Sequence, residues 1–211
     1  MNKSLIHQKL YTRENMMNEL IQILAFFLGD GYWLGKNVAF SNTNEDLIRY
    51  YAEMLSRAKF KVRIYKRQKS GNRKDEFTLV VEKKFSNIIK KLRKDIWFEI
   101  NNIEKAKAFL RGIFDAEGTL NFKSTRRGRE IKITNTDKNI VSLTQLCLQK
   151  LKIKNSLSTA KGYRPNRKKC FNVKTYGKFS IQFINDIKPY KVFSKGYLDG
   201  KVNPKYQYIF Q

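Results

Sequence analysis

The feature of this sequence that most restricts its fold is an internal repeat. Residues 38–62 (VAFSNTNEDLIRYYAEMLSRAKFKV) match residues 131–155 (IKITNTDKNIVSLTQLCLQKLKIKN) without a gap, at an offset of 93 residues. The match resumes later in each half, where both contain a Lys-Phe-Ser triplet, at residues 84–86 and 178–180. Because the same units recur in the same order, the sequence predicts one structural unit built twice.

Hydrophobic periodicity predicts the elements of each unit. In the first half, residues 17–29 are apolar without a polar stripe, as in a helix buried on most sides. Residues 31–42 then alternate around a turn at Gly35, and an amphipathic helix follows Asn44, a predicted N-cap. Two further strands flank a glycine-containing turn before a last helix. The order α-β-β-α-β-β-α, twice, predicts an α+β fold.

The two units are expected to share a core. We place them at residues 1–98 and 99–211. Their connection, at about residues 94–102, is short, and no proline- or glycine-rich linker separates the halves. Such a connection favours two halves packed together over two independent domains.

The charge of the chain indicates its partner. Lys and Arg number 44 against 18 acidic residues, which gives a net charge of +26. An excess of this size repels itself and is typical of proteins that bind a polyanion, so nucleic acid is the leading candidate. An anionic membrane surface and a ribosomal-type RNA remain alternatives, although no segment is apolar enough to span a bilayer.

Other site types have little support in the sequence. The N-terminal residues lack the apolar core and cleavage site of a secretory signal. Cys147 and Cys170 have no CxxC spacing and accompany a single histidine, His7, so neither a disulfide framework nor a zinc site is predicted. Both cysteines are interpreted as reduced thiols.

Each half contains an acidic residue directly before a glycine at the end of an apolar helix. These are Asp30 and Glu117, 87 residues apart. Small residues at i and i+4 precede each acid, which lets the two helices pack closely and brings the acids together; this predicted seam consists of Ala25, Gly29, Gly112 and Ala116. One such acid is common at a helix end, but a matched pair favours a functional site.

A pair of carboxylates at helix C-termini is costly without a cation, because the helix dipole is negative at that end. Carboxylate oxygens together with the backbone carbonyls of Gly29 and Ala116 form a hard, oxygen-rich site suited to Mg²⁺. The sequence therefore predicts metal-dependent attack of water on phosphodiesters, with Asp30 and Glu117 as ligands.

The residues around the two acids resemble a known family motif. LRGIFDAEG (110–118) is similar to the motif of LAGLIDADG homing endonucleases, and ILAFFLGDG (23–31) is a looser second copy. At the sixth motif position the first copy has Leu28 where the second has Asp115. That position is not a metal ligand in the family, so Asp115 is interpreted as a local structural residue.

The resemblance implies a fold and an activity. The fold is the monomeric two-repeat type, with the motif helices packed at the centre and the antiparallel sheets forming a saddle over DNA. The activity is a double-strand break in a long, pseudo-palindromic target with short 3′ overhangs. Two or three Mg²⁺ ions are expected, with Mn²⁺ substituting and Ca²⁺ binding without cleavage. The alternative is an RNA-binding intron maturase on the same fold.

Strand alternation separates polar from apolar residues after each motif, as expected for strands that read DNA on one face. In the first half, the residues expected at DNA are Lys36, Asn37, Ser41, Asn42, Lys61, Arg63, Tyr65, Arg67, Lys69, Arg73, Lys74 and Thr78. In the second half they are Lys123, Arg126, Arg127, Arg129, Lys132, Thr134, Lys161, Arg164, Arg167, Lys168, Lys169, Asn172 and Lys174.

Three lysines are candidates for a basic residue that assists the attacking water or the leaving group. Lys94 follows the predicted third helix, Lys188 is its repeat partner, and Lys195 competes with Lys188. The abundance of residues with AT-rich codons favours an intracellular location in an organelle, chloroplast or mitochondrion, with a microbial cytoplasm as the alternative.

Overall fold

The computed structural model describes residues 13–71, 74–121, 129–160 and 169–193. In the first repeat, α1 (Arg13–Asp30) leads into the hairpin β1 (Gly31–Leu34) and β2 (Asn37–Asn42), then α2 (Glu45–Arg57). A second hairpin, β3 (Val62–Arg67) and β4 (Glu76–Val81), precedes α3 (Lys83–Glu99). The turn at Gly35 has φ +59°, a conformation that glycine adopts without strain.

The second repeat has the same element order. It consists of α4 (Ile103–Glu117), β5 (Gly118–Asn121), β6 (Glu130–Asn135), α5 (Lys138–Lys150), β7 (Ser156–Ala160), β8 (Cys170–Tyr176) and α6 (Lys178–Ile187). A short helix, α7 (Tyr190–Phe193), follows and was not predicted. The predicted α-β-β-α-β-β-α order, twice, is confirmed.

Each repeat forms a four-stranded antiparallel sheet. The strand orders are β1-β2-β4-β3 and β5-β6-β8-β7, so the second hairpin joins the first through β4 and β8. Alternate residues of the central strands point to the helices: Phe77, Leu79 and Val81 of β4 are buried, while Glu76, Thr78 and Val80 are partly exposed. The helices cover one face of each sheet, and we call the opposite face the outer face.

The helices and the inner faces of both sheets share one hydrophobic core. Its members run from Leu20 in α1 to Val192 in α7 and include residues of both repeats, as the short connection predicted. Asn44 caps α2 by accepting a hydrogen bond from the Leu47 backbone N–H, as expected for an N-cap. No helix in the described ranges is long and apolar enough to cross a membrane.

The connection between the repeats is shorter than predicted. Helix α3 continues to Glu99, because Ile96 and Ile100 extend its buried face into the core. Only residues 100–102 separate it from α4, whose N-cap Asn102 accepts from the Lys105 backbone N–H. Lys94 therefore lies within α3 rather than after it, which corrects the sequence-based placement.

Candidate metal and nucleic-acid site

Helices α1 and α4 meet along the four small residues of the predicted seam. A Cβ added to Gly112 would overlap the Gln22 carbonyl oxygen and the Ala25 methyl group. A Cβ added to Gly29 would overlap the Ala116 methyl group and approach the Glu117 side chain. Glycine at these two positions therefore allows the helix backbones to approach, and larger residues would force them apart.

Asp30 and Glu117 lie at the ends of these packed helices. Each is the last residue of its helix, and both side chains are half-buried. The Asn42 side-chain amide donates to Asp30 Oδ2 at 2.8 Å and so fixes this carboxylate. Asn42 thus faces the acid on the helix side of β2, and not the outer face of the sheet.

Close packing against the preceding helix explains the glycine after each acid. Gly118 has φ −77° and ψ 146°, an extended conformation that any residue adopts. A Cβ on Gly31 would collide with the Phe27 ring, however, and one on Gly118 with the Phe114 ring. After each acid, the backbone therefore passes directly over a core phenylalanine ring. The following strand turns away from the helix there, and the acid remains at the helix end.

Burial raises the pKa values of both acids, and the charge of Asp30 raises that of Glu117 further. Desolvation raises the pKa of Asp30 to about 6, against the lowering effect of the Asn42 hydrogen bond. Desolvation and the nearby Asp30 charge raise the pKa of Glu117 to about 7. Two carboxylates that disfavour each other's charge are stabilised in their ionised form by a cation placed between them.

A lysine that the sequence reasoning missed lies beside both acids. Lys191 is half-buried, and its Nζ donates to the Gly118 carbonyl oxygen at 3.0 Å and to that of Ala116 at 3.5 Å. Burial lowers the pKa of Lys191, while the charges of Asp30, Asp115 and Glu117 oppose this effect. The Lys191 ammonium is therefore the positive group at this carboxylate pair within the described residues.

Asp115 holds the lysine segment in place. Its carboxylate is 0% exposed, and Oδ1 accepts the Lys191 backbone N–H at 2.8 Å. Oδ2 accepts the hydroxyl of Tyr51, from the first repeat, at 2.9 Å. Desolvation raises the pKa of Asp115 to about 7, although both hydrogen bonds lower it. Its contacts tie α2, α4 and α7 together, in line with a structural role.

A second contact reinforces this link between the repeats. The rings of Tyr50 in α2 and Tyr190 in α7 stack with centroids 4.0 Å apart and an interplanar angle of 5°. Tyr50 also accepts a hydrogen bond from the Gln22 amide of α1. Helix α2 of the first repeat thus positions the segment of the second repeat from which Lys191 extends.

The predicted lysines lie elsewhere. Lys94 is exposed on α3, and Lys188 is an exposed residue with φ 50° that lines an open cavity of about 360 Å³ with Tyr50, Arg111 and Tyr190. Lys195 lies outside the described residues. The missed signal was Pro189, because proline ends α6 and lets the chain return toward the acids.

The donors at the helix ends fit a hard divalent cation only in part. Two carboxylates and C-terminal carbonyls are oxygen ligands of the kind that Mg²⁺ and Ca²⁺ prefer. The Ala116 carbonyl already accepts a long bond from Lys191. Among the described residues, no group of three or more His, Cys, Asp or Glu side chains could enclose an ion. Further ligands would have to come from water or a bound phosphate.

The outer faces of the sheets contain most of the described residues that were predicted to bind DNA. In the first sheet, Ser41 and Thr78 are hydrogen-bonded across β2 and β4 at 2.8 Å. In the second, Thr134 donates to Asn172 across β6 and β8, also at 2.8 Å. Other predicted residues on these faces are Asn37, Arg63, Tyr65, Arg67, Lys132 and Lys174.

The remaining predicted contacts lie at the strand ends and loops. Lys69 forms an ion pair with Glu76 at 3.1 Å, and Lys169 lies over the Phe171 ring with 5.8 Å between Nζ and the centroid. The others at described strand ends or turns are Lys36, Lys61, Lys74 and Arg129. Outside the described residues lie Arg73, Lys123, Arg126, Arg127, Lys161, Arg164, Arg167 and Lys168.

Comparison with known proteins gives a consistent result for the fold. Residues 18–93 and 104–187 both match the family model of the LAGLIDADG-like domain. No curated protein sequence matches this chain significantly. Among solved structures, I-DmoI in complex with DNA and Ca matches with a TM-score of 0.63 at 18% identity, covering 82% of this chain and 90% of that chain.

Two further structures are similar. Mesophilic variants of the homing endonuclease I-DmoI match with a TM-score of 0.62 at 18% identity, over 82% of this chain and 96% of that chain. The N-terminal LAGLIDADG domain of DUF199/WhiA matches with a TM-score of 0.61 at 15% identity, over 82% of this chain and 81% of that one. Identities this low support a shared fold.

Proposed function

Since the chain belongs to the LAGLIDADG family, with both repeats matching its domain model, we propose that it is a homing endonuclease. Its substrate is a long, pseudo-palindromic DNA duplex, and its reaction is a metal-dependent double-strand break that leaves short 3′ overhangs. The observation that carries the proposal is the pair of acids, one from each repeat, held at the ends of two closely packed helices.

The surroundings of the acids support hydrolysis of phosphodiesters. A divalent cation held by Asp30 and Glu117 would polarise the scissile phosphates and lower the pKa of an attacking water. The carboxylates would orient that ion, and their charge would be neutralised by it. Because the protein supplies few ligands, ion binding should be tight only when DNA phosphates are present.

Lys191 is suited to a role beside the acids. Its ammonium is anchored to the Ala116 and Gly118 carbonyls next to the acid pair. A cation at this place would stabilise negative charge that develops on a phosphate oxygen or on the leaving group. Burial lowers its pKa, which also favours proton donation to the leaving oxygen.

The net charge of +26 and the two exposed outer faces support a DNA duplex as the partner. One chain supplies both acids and both sheets, so we propose that the protein acts as a monomer. The cofactor in this proposal is Mg²⁺, as two or three ions, with Mn²⁺ substituting and Ca²⁺ supporting binding without cleavage. An intracellular site in an organelle agrees with the amino-acid composition and stays a prediction.

Cleavage of a plasmid that carries a sequence selected for binding tests the proposal. Wild-type protein with Mg²⁺ should linearise the plasmid, whereas Asp30→Asn and Glu117→Gln should each abolish or severely reduce cleavage. Both variants should keep or increase their affinity for the duplex measured with Ca²⁺, because a carboxylate repels phosphates until a cation intervenes.

Two results would contradict the proposal. If both variants cleaved DNA as well as wild type, Asp30 and Glu117 would not be part of the catalytic site. A wild-type protein that cleaves no DNA but binds intron RNA tightly, and assists its splicing, would favour the maturase.

A further inference from the structure

Matched positions on the outer faces of the two sheets have different chemistry. In the first sheet, Ala39 lies opposite Val80 in the β2–β4 ladder. At the matching positions of the second sheet, Lys132 lies opposite Lys174 in the β6–β8 ladder. We call these residue pairs the central row of each sheet. The central row is apolar in the first sheet and doubly cationic in the second.

The neighbouring row is alike in both sheets. Ser41 and Thr78 share a hydrogen bond in the first sheet, and Thr134 and Asn172 share one at the matching positions of the second. The ladders are in the same register around both rows. The central row therefore differs in side-chain chemistry on two backbones that match.

The lysine pair is electrostatically unfavourable in the free protein. Like charges directly opposite each other destabilise a sheet, and the ion pair between Glu130 and Lys174 Nζ, 3.3 Å apart, offsets part of this repulsion. Both lysines are partly exposed on the outer face. Such a pair is explained if an acceptor-rich partner lies against this face.

The first sheet presents an apolar surface at the same place. Ala39 is 0% exposed, so the surface of its central row consists of the partly exposed Val80 and the neighbouring Tyr32. The Tyr32 hydroxyl shares a hydrogen bond with Ser41 of the neighbouring row. Arg63, opposite Val80 on the edge strand β3, lies beside the central row and outside it.

These two surfaces complement different base pairs in a major groove. Lysine ammonium groups donate to O6 and N7 of guanine, whereas an aliphatic side chain contacts the C5-methyl group of thymine. We propose that the two half-sites of the target differ at the base pair facing the central row. The half-site under the second sheet has guanine there, and the half-site under the first sheet has thymine. This inference rests on the proposed function, which supplies the duplex.

Selection of bound duplexes from a randomised library tests the inference, with the full chain and Ca²⁺ so that cleavage is not needed. Wild-type protein should enrich guanine in one half-site and thymine at the symmetry-related position of the other. The double variant Lys132→Ala/Lys174→Val should lose discrimination for guanine by about tenfold in one half-site only. Val80→Lys should create a guanine preference in the other half-site.

A charge-matched control separates base reading from loss of positive charge. Lys91→Ala/Lys150→Ala removes two exposed lysines on α3 and α5, and it should weaken binding without changing any base preference. Guanine preference that survives in the Lys132/Lys174 variant, or the same base at both wild-type positions, would overturn the inference while the proposed function stands. A wild-type protein that enriches no sequence would overturn the proposed function, and this inference with it.

Discussion

The two repeats share a backbone plan but contribute differently to the acid pair. Each supplies one acid, at the end of α1 and of α4. Only the second supplies a lysine from its last segment within the described residues: Pro189 follows α6, and Lys191 returns to the acids. In the first repeat the matching residue is Trp97, which lies inside the longer helix α3. Helix α6 thus ends before Pro189, whereas α3 continues past the matching position.

The pseudo-symmetry of the two repeats therefore holds for the backbone scaffold but not for the side chains around the acids. Asp115 accepts hydrogen bonds from Tyr51 and from the Lys191 backbone, whereas Leu28, at its matching position, packs against the core. Asn42 fixes Asp30. We therefore expect the two DNA strands to meet unequal surroundings.

Apart from replacement of the two acids, the largest expected effect comes from removing the asymmetric lysine. Lys191→Met should reduce cleavage with Mg²⁺ by about 10²–10⁴-fold, the range for loss of a proton-transfer group. DNA affinity with Ca²⁺ should change little, because one charge of a large excess is lost. Single-turnover rates resolved by strand would measure this.

Lys188→Met is the matched control for that change. It removes an exposed lysine three residues away, and its cleavage rate should stay near that of wild type. Loss of cleavage in Lys188→Met with normal rates in Lys191→Met would reverse the assignment of the lysine.

The next effect concerns the seam that the repeats share. Gly112→Leu places a large side chain against the Gln22 carbonyl and the Ala25 methyl group, and should lower the free energy of unfolding by about 3 kcal/mol. Ser142→Leu, at an exposed position of α5, is the control and should be close to neutral. Urea unfolding of both variants measures the difference. A Gly112→Leu protein as stable as wild type would argue against this packing.

Loss of the hydrogen bond between Tyr51 and Asp115 should have a smaller effect. Tyr51→Phe removes one donor from a buried carboxylate, and should cost about 1–2 kcal/mol of stability. It should also reduce cleavage more than DNA affinity, because Asp115 holds the Lys191 backbone. Ser142→Ala, which removes an exposed hydroxyl on α5, is the control. Equal stability and cleavage in the two variants would mean that the link does not position Lys191.

The smallest effect is a pH dependence. The pKa values of Asp30 and Glu117 are raised to about 6 and about 7. Since a cation binds the ionised forms, protons compete with it as the pH falls through this range. The gain in DNA affinity from Ca²⁺ should therefore be complete at pH 8 and decline toward pH 5.5. Titrations at several pH values measure it, and a gain independent of pH would exclude these carboxylates as ligands.

Much of the fold could be predicted from the sequence because its signals are local. The repeat predicted the element order, and the small residues before each acid predicted the helix contact between Gly112 and Ala25. The length of α3 was underestimated, since the buried positions of Ile96 and Ile100 depend on packing against other elements.

The acids were predictable but their neighbours were not. Lys191 reaches the acids through a turn at Pro189 and through hydrogen bonds to residues about 75 positions away. Such a contact depends on the tertiary fold, and repeat matching pointed instead to Lys94 and Lys188. Asn42 was expected at DNA for its polarity, yet its place in β2 directs it to Asp30.

Locating the cation would show directly whether Asp30 and Glu117 are its ligands. Crystals of the protein with its selected DNA duplex, grown with Mn²⁺, would show the ion by its anomalous scattering. We expect manganese in contact with the Asp30 and Glu117 carboxylates and with phosphate oxygens of the DNA, and no such peak in Asp30→Asn/Glu117→Gln. Manganese bound only elsewhere, in crystals that cleave their DNA, would contradict it.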